Sequence, residues 1–250
     1  MSNPFRYFNS SPEVIRLVVM MYGRYPLSLR NVEDLLAERG IDISYETVRF
    51  WWNRFGPMFA EMRKRRVARM RNYPQWRWHL DEVFLRVNGK LCSLRRAVDH
   101  EGEVLEAVVT AKRDKAAALR FLKRIIKKCG RARTIVTDGL RAYPAAMKEV
   151  GNAGCQEVGR GLNNRVENSH QPFRRRECAM QRFRSIRRLQ KFSSVHAQVH
   201  NHFNQERHLV TRQVYKQRRS AALAEWRSLA SARGTELPAP RPRRITSNET

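Results

Sequence analysis

Residues 76–89 read Trp-Arg-Trp-His-Leu-Asp-Glu-Val-Phe-Leu-Arg-Val-Asn-Gly. Aromatic and branched residues crowd the first twelve positions, and Asn88-Gly89 is the residue pair of a tight hairpin turn. The stretch predicts a strand over Trp76–Val87 and a chain reversal at its end. A second strand is expected over Leu91–Val98, stopping at Asp-His-Glu-Gly, residues 99–102. Val104–Thr110 reads as a third. Asp114 then caps a helix with the apolar stripe Ala118, Phe121, Leu122, Ile125 and Cys129, closed by Gly130. Thr134–Thr137 is a short strand ending at Asp138. Three meandering strands, a crossover helix and a strand parallel to the first make an α/β domain, a mixed sheet flanked by helices. Tyr143–Val150 reads as helix, and a long basic helical region follows Asn163-Asn164.

Upstream, Ser11, Ser28 and Ser44 stand as N-caps before three apolar stripes at helical spacing. These are Val14, Leu17, Val18 and Met21; Val32, Leu35 and Leu36; and Val48, Trp51 and Phe55. The link between the second and third helices is short, the layout of a helix-turn-helix whose last helix enters the major groove. Tyr45, Glu46, Arg49, Asn53 and Arg54 are its exposed candidates for DNA contact; the plain alternative is a small helical bundle. The expected division is a helix-turn-helix domain at 1–57, a basic linker at 58–75, the α/β domain at 76–232 and a disordered Pro- and Arg-rich tail at 233–250.

The 250 residues carry 50 Lys and Arg against 23 Asp and Glu, a formal net charge of +27. Such a charge repels itself unless a polyanion is near, and nucleic acid is the economical partner. Arg63, Lys64, Arg65 and Arg66 in the linker and Arg174, Arg175 and Arg176 further on are expected to track phosphates. No apolar run approaches a bilayer span and the start lacks a secretory core, so the expectation is a cytosolic, nucleoid-associated protein without a membrane partner. Cys92, Cys129, Cys155 and Cys178 form no CxxC pair and read as reduced thiols. His196, His200, His202 and His208 cluster without an HExxH pattern and read as core.

In so basic a chain the carboxylates carry the chemistry. Asp81 lies inside an apolar strand, where a charge needs a cationic partner. Asp138 lies at the carboxyl end of its strand, where α/β sites gather. If the two strands are neighbours the aspartates converge, and hard oxygen ligands in repulsion suit Mg²⁺ or Mn²⁺. Glu167 is the best third ligand, although on the residues alone a capping-box pairing with Asn164 is slightly favoured. Glu82, Glu157 and Glu177 are rivals.

The set Trp-His-Leu-Asp81-Glu, Val-Thr-Asp138-Gly and Asn-Asn-Arg-Val-Glu167-Asn-Ser-His resembles the DDE transposases of bacterial insertion sequences, closest to the single-protein replicative family that forms cointegrates. Lys-Arg-Asp114-Lys-Ala-Ala and the Val-His-Asn-His-Phe-Asn-Gln-Glu-Arg-His-Leu segment extend the likeness over residues 5 to 230. The resemblance implies an RNase H-like catalytic core behind a helix-turn-helix. It makes Asp81, Asp138 and Glu167 the catalytic, metal-binding triad of two Mg²⁺ or Mn²⁺ ions, and Arg174 the basic residue two turns along the helix. It implies cleavage and strand transfer at the inverted repeats of an element, by at least a dimer on double-stranded DNA. Gly139 departs from the Lys that many relatives carry after the second aspartate. The competing function is a non-catalytic helix-turn-helix regulator, which would tolerate Asp138→Asn.

Overall fold

A computed structural model describes residues 4–70, 77–159, 161–180, 183–204 and 210–229, the side chains of 66–70 excepted. The expected tail at 233–250 and the last part of the expected linker lie outside them. The helices α1 (Pro12–Arg24) and α2 (Leu29–Ala37) begin at the serines expected to cap them: Ser11 accepts from Val14 N–H, and Ser28 forms a reciprocal capping box with Asn31. Ser44 accepts from Thr47 N–H at the head of α3 (Tyr45–Met70).

The expected boundary at residue 57 falls inside α3. Pro57 lacks an N–H and orphans the Asn53 carbonyl one turn back, which ordinarily breaks a helix. Here Lys191 Nζ donates to that carbonyl at 2.9 Å, so the helix continues into the stretch expected to be a linker.

The sheet contains β1 (Arg77–Val87), β2 (Lys90–Asp99), β3 (Val104–Thr110), β4 (Thr134–Thr137) and β5 (Gln156–Val158), in the order β3-β2-β1-β4-β5. β1–β2 and β2–β3 are antiparallel; β1–β4 and β4–β5 are parallel. The turn between β1 and β2 has Asn88 and Gly89 both at positive φ, 49° and 79°, as the Asn-Gly pair requires. Helices α4 (Lys115–Cys129) and α5 (Ala142–Glu149) cover one face; α6 (Asn164–Ala179), α7 (Ile186–Phe203) and α8 (Arg212–Ser228) follow. This sheet order with helices on both faces is the RNase H-like arrangement. The three-residue β5 carries too little pattern to be read from sequence, and the long basic helical region divides into α6, α7 and α8.

The period-two alternation of β1 sorts side chains between two cores. Trp78 and Leu80 pack under α4 and α5 with Phe121, Leu122, Ile125 and Tyr143. Val83, Leu85 and Val87 join the other core, which also holds Trp52, Phe59, Phe192 and Trp226. That core runs without interruption from the N-terminal helices to α7 and α8. Trp226 Nε1 donates to the Arg16 carbonyl at 3.1 Å, and Arg16 Nε donates to the Leu229 carbonyl at 2.8 Å. The exposed edge of β3 is closed by two α7 amides. Gln190 bonds Val109 N–H and the Ala107 carbonyl, and Asn201 bonds both backbone groups of Val104, which removes a free strand edge.

Candidate active site

Because β1 and β4 are parallel neighbours whose last pair is Leu80 opposite Thr137, Asp81 follows in β1 and Asp138 follows just past the end of β4. Their backbones converge as the sequence predicted. Their side chains are engaged apart. Asp81 lies on the face toward α6, where its Oδ2 meets His170 Nε2 at 3.0 Å. Burial, with help from nearby Arg96, lowers the His170 pKa below its ordinary value. The carboxylate oxygen can only accept, so His170 donates to it through Nε2–H. Asp138 accepts from Leu140 N–H through Oδ1 at 3.2 Å, and its Oδ2 lies 3.5 Å from Arg113 Nη2. The tight turn behind that bond explains Gly139: its φ is +80°, where a lysine would be strained, and a Cβ would meet Val158 Cγ1 at 3.4 Å.

Glu167 sits in the first turn of α6, exposed. The N-cap is Asn163, one residue earlier than the capping-box pairing needs, and it makes no side-chain cap bond. Its amide instead donates to the Leu80 carbonyl at 2.9 Å. Asn163, Glu167 and His170 follow i, i+4, i+7 and so share a helix face. The first grips the residue before Asp81 and the third grips Asp81 itself, so Glu167 is held between two contacts to β1. The three rivals are each taken by arginine. Glu82 pairs with Arg95 and Arg113 at 2.5 and 2.7 Å, Glu157 with Arg77 at 2.7 Å, and Glu177 with Arg174 at 2.9 Å. Glu82 and Asp81, as strand neighbours, point to opposite faces. Among the described residues no three of His, Cys, Asp and Glu stand ready as a metal cage. Two aspartates, each one residue beyond the last β1–β4 pair, and a glutamate exposed on the helix that packs on β1 are nonetheless hard-oxygen donors of the kind a divalent cation takes. The residues fit such an ion once the side chains of Asp81 and Asp138 turn toward each other.

The basic residues divide by burial. Arg49, Asn53 and Arg54 are exposed on α3 with Tyr45 half-buried beside them; Arg49 is held by Glu46 at 2.6 Å. Arg65 pairs with Glu61 at 3.2 Å, and burial lowers the Lys64 pKa. The Arg66 side chain lies outside the described residues. Arg174 and Arg175 are exposed on α6. Arg63 and Arg176 are corrections to the expected DNA contacts. Arg63, 4% exposed, bonds Gln198 and Glu103, each at 3.1 Å. Arg176, 1% exposed, donates to the Leu27 carbonyl at 2.7 Å and lies over the Tyr22 ring. Both join the N-terminal helices to the sheet domain; a charge run in sequence does not reveal which of its members face a neighbouring core. Of the histidine cluster, His196 and His202 are core as expected, His196 stacked on Phe192 and His202 bonded to the Ala222 carbonyl at 2.8 Å; His200 is half-buried and His208 lies outside the described residues.

Sequence reasoning missed Asn163 and His170 as positioning groups, and Arg113. The signal for the first two was their heptad spacing around Glu167. Arg113 had none, because its partners come from two distant strands.

A sheet of this order, with one aspartate in β1, another just past β4 and a glutamate on a later helix, is the arrangement expected of a DDE-type catalytic core. A sequence model of a family described as "DDE domain" matches residues 75–206. The transposase for insertion sequence-like element IS431mec of Staphylococcus aureus is 31% identical over 184 residues, 72% of this chain and 80% of that one. The transposase for IS257 in transposon Tn4003 of Staphylococcus aureus is 30% identical over the same shares. Among solved structures, the HTLV-2 integrase catalytic core domain with magnesium aligns loosely, at 14% identity and TM-score 0.37, over 54% of this chain and 88% of that one. The chain belongs to the DDE transposases of insertion sequences and is a DNA transposase. No helix among the described residues is long and apolar enough to cross a membrane.

Proposed function

We propose that this transposase binds the inverted repeats at the ends of its element through α3, cuts there, and joins the freed 3′-hydroxyl to target DNA, with Asp81, Asp138 and Glu167 as its catalytic carboxylates. The placing of Asp81 and Asp138 one residue beyond the last β1–β4 pair, with Glu167 held between the Asn163 and His170 contacts, carries this reading. The three carboxylates would hold two Mg²⁺ or Mn²⁺ ions, which when bound activate the attacking oxygen and neutralise charge on the leaving one. His170 and Asn163 orient two of the three ligands. Arg174, two turns beyond Glu167 on the exposed side of α6, meets the phosphate that the carboxylates would otherwise repel.

Recognition falls to Tyr45, Arg49, Asn53 and Arg54. Backbone attraction falls to Lys64, Arg65, Arg66, Arg174 and Arg175, joined by Arg184, Arg187 and Arg188, exposed at the head of α7. Residues 178–205 contain no Asp or Glu, so that surface has one sign. Two ends must be held at once, which requires at least a dimer.

The test uses labelled duplex carrying the inverted repeats. Wild type and Asp138→Asn are each incubated with Mg²⁺, Mn²⁺ or chelator. Metal-dependent cutting at the repeat boundary, lost in the variant while binding persists, is the expected result. Binding without cutting by wild type in every metal sinks the catalytic reading and favours the regulator.

A further inference from the structure

Arg113 lies on the loop between β3 and α4, one residue before the N-cap Asp114. The cap bond from Ala117 N–H to Asp114 Oδ1, 2.8 Å, fixes where that loop points. The guanidinium spans two carboxylates from different strands: Nε donates to Glu82 Oε2 at 2.7 Å, and Nη2 lies 3.5 Å from Asp138 Oδ2. Its flat face rests over the Phe84 ring at 5.1 Å. Glu82 is buried and its other oxygen is held by the fully buried Arg95.

Two carboxylates and two guanidiniums balance here without any further cation. A divalent ion on Asp138 would stand beside the Nη2 arm and be repelled by it. The two arms of Arg113 are unequal. The Nε bond to Glu82 is short and buried at the acceptor end, whereas the Nη2 contact with Asp138 is longer and open to solvent. We infer that Arg113 is a tethered cation that occupies Asp138 in the free protein and releases it on metal loading, staying anchored to Glu82. It is a positioning residue for the metal ligand, and the inference rests on Asp138 being one. Released, the Nη2 arm stands at the edge of the site, where a phosphate oxygen of bound DNA is its next acceptor. DNA and metal then favour each other's binding through this one side chain.

The experiment titrates Mn²⁺ into the full-length protein without DNA, following free Mn²⁺ by paramagnetic resonance. The proteins are wild type, Arg113→Lys, Arg113→Gln and Asp138→Asn. Arg113→Lys keeps the charge and can keep the Glu82 bond, but its single ammonium cannot span both carboxylates. Both Arg113 variants are expected to bind Mn²⁺ about fivefold more tightly than wild type, the size of a half-exposed ion pair. Asp138→Asn binds more weakly. Adding inverted-repeat duplex tightens Mn²⁺ binding in wild type more than in Arg113→Lys. If Arg113→Lys, with unchanged thermal midpoint, matches wild type while Asp138→Asn is weakened, the tether is wrong and the metal site stands. If Asp138→Asn binds Mn²⁺ as wild type does, the metal role of Asp138 fails and the tether with it.

Discussion

Asn163 offers the sharpest test of how the fold builds the site. β4 stops pairing with β1 at Thr137, opposite Leu80, and the Leu80 carbonyl takes its hydrogen bond from the Asn163 amide at 2.9 Å. Asn163 is 4% exposed, so in Asn163→Ala that carbonyl is left buried without a donor. An orphaned buried acceptor costs about 1–3 kcal/mol. The substitution also removes Asn163 Oδ1, a buried oxygen with no hydrogen-bond partner among the described residues, which offsets part of the loss. About 1.5 kcal/mol remains, or a fall of roughly 3–6 °C in thermal midpoint for a chain of this size. The head of α6 loses its anchor, so Glu167 wanders and strand cleavage falls at least tenfold, with DNA binding intact. Asn163→Asp should be worse than Ala, because it sets a carboxylate oxygen against the Leu80 carbonyl. Calorimetry with the repeat-cleavage assay measures both effects. Alanine and aspartate variants as stable and active as wild type would refute the idea that this amide positions Glu167.

Replacing Arg187 and Arg188 together with alanine should make the log-log salt dependence of DNA binding shallower by about two, with little change in stability; an unchanged slope removes these residues from the DNA surface. Arg63→Ala should do the opposite, lowering stability by about 2–4 kcal/mol through the abandoned Glu103 and Gln198 while leaving the salt slope alone. Burial holds the His196 pKa far below its ordinary value and brings His200 down to about 3, with Arg96 adding to both. The unfolded chain therefore takes up protons below about pH 6.5 that the native chain refuses, and stability falls as pH drops through that range, by up to about 1.4 kcal/mol per unit for each histidine. Denaturant midpoints at pH 7.5 and 5.0 measure the slope, and His196→Gln should reduce it. Gly23→Ala should loosen the seam between α1 and α7, since its Cβ would stand 2.9 Å from the Trp52 ring and 3.2 Å from Val199; a thermal midpoint equal to wild type would contradict this.

The sequence by itself determined most of the elements and their order, but not β5, the run of α3 through Pro57 or the division of the basic region into α6, α7 and α8. Caps at Ser11, Ser28 and Asp114, the Asn-Gly turn, and the period-two and helical stripes are local patterns, and each acts within a few residues. They also marked Asp81 and Asp138, because a carboxylate inside or just after an apolar strand is costly enough to stand out. Which charges serve the interior and which face outward was decided only by the tertiary structure. Arg63 and Arg176 look in sequence like their neighbours Arg65 and Arg175. Burial against Gln198, Glu103 and Leu27 separates them, and those partners lie 135, 40 and 149 residues away. The same holds for Pro57, whose lost helix bond is replaced by a lysine from α7, and for Arg113, which joins Glu82 to Asp138. Propensity and capping are set by neighbours along the chain, whereas the cost of an unpaired buried group is settled by whatever the fold brings beside it.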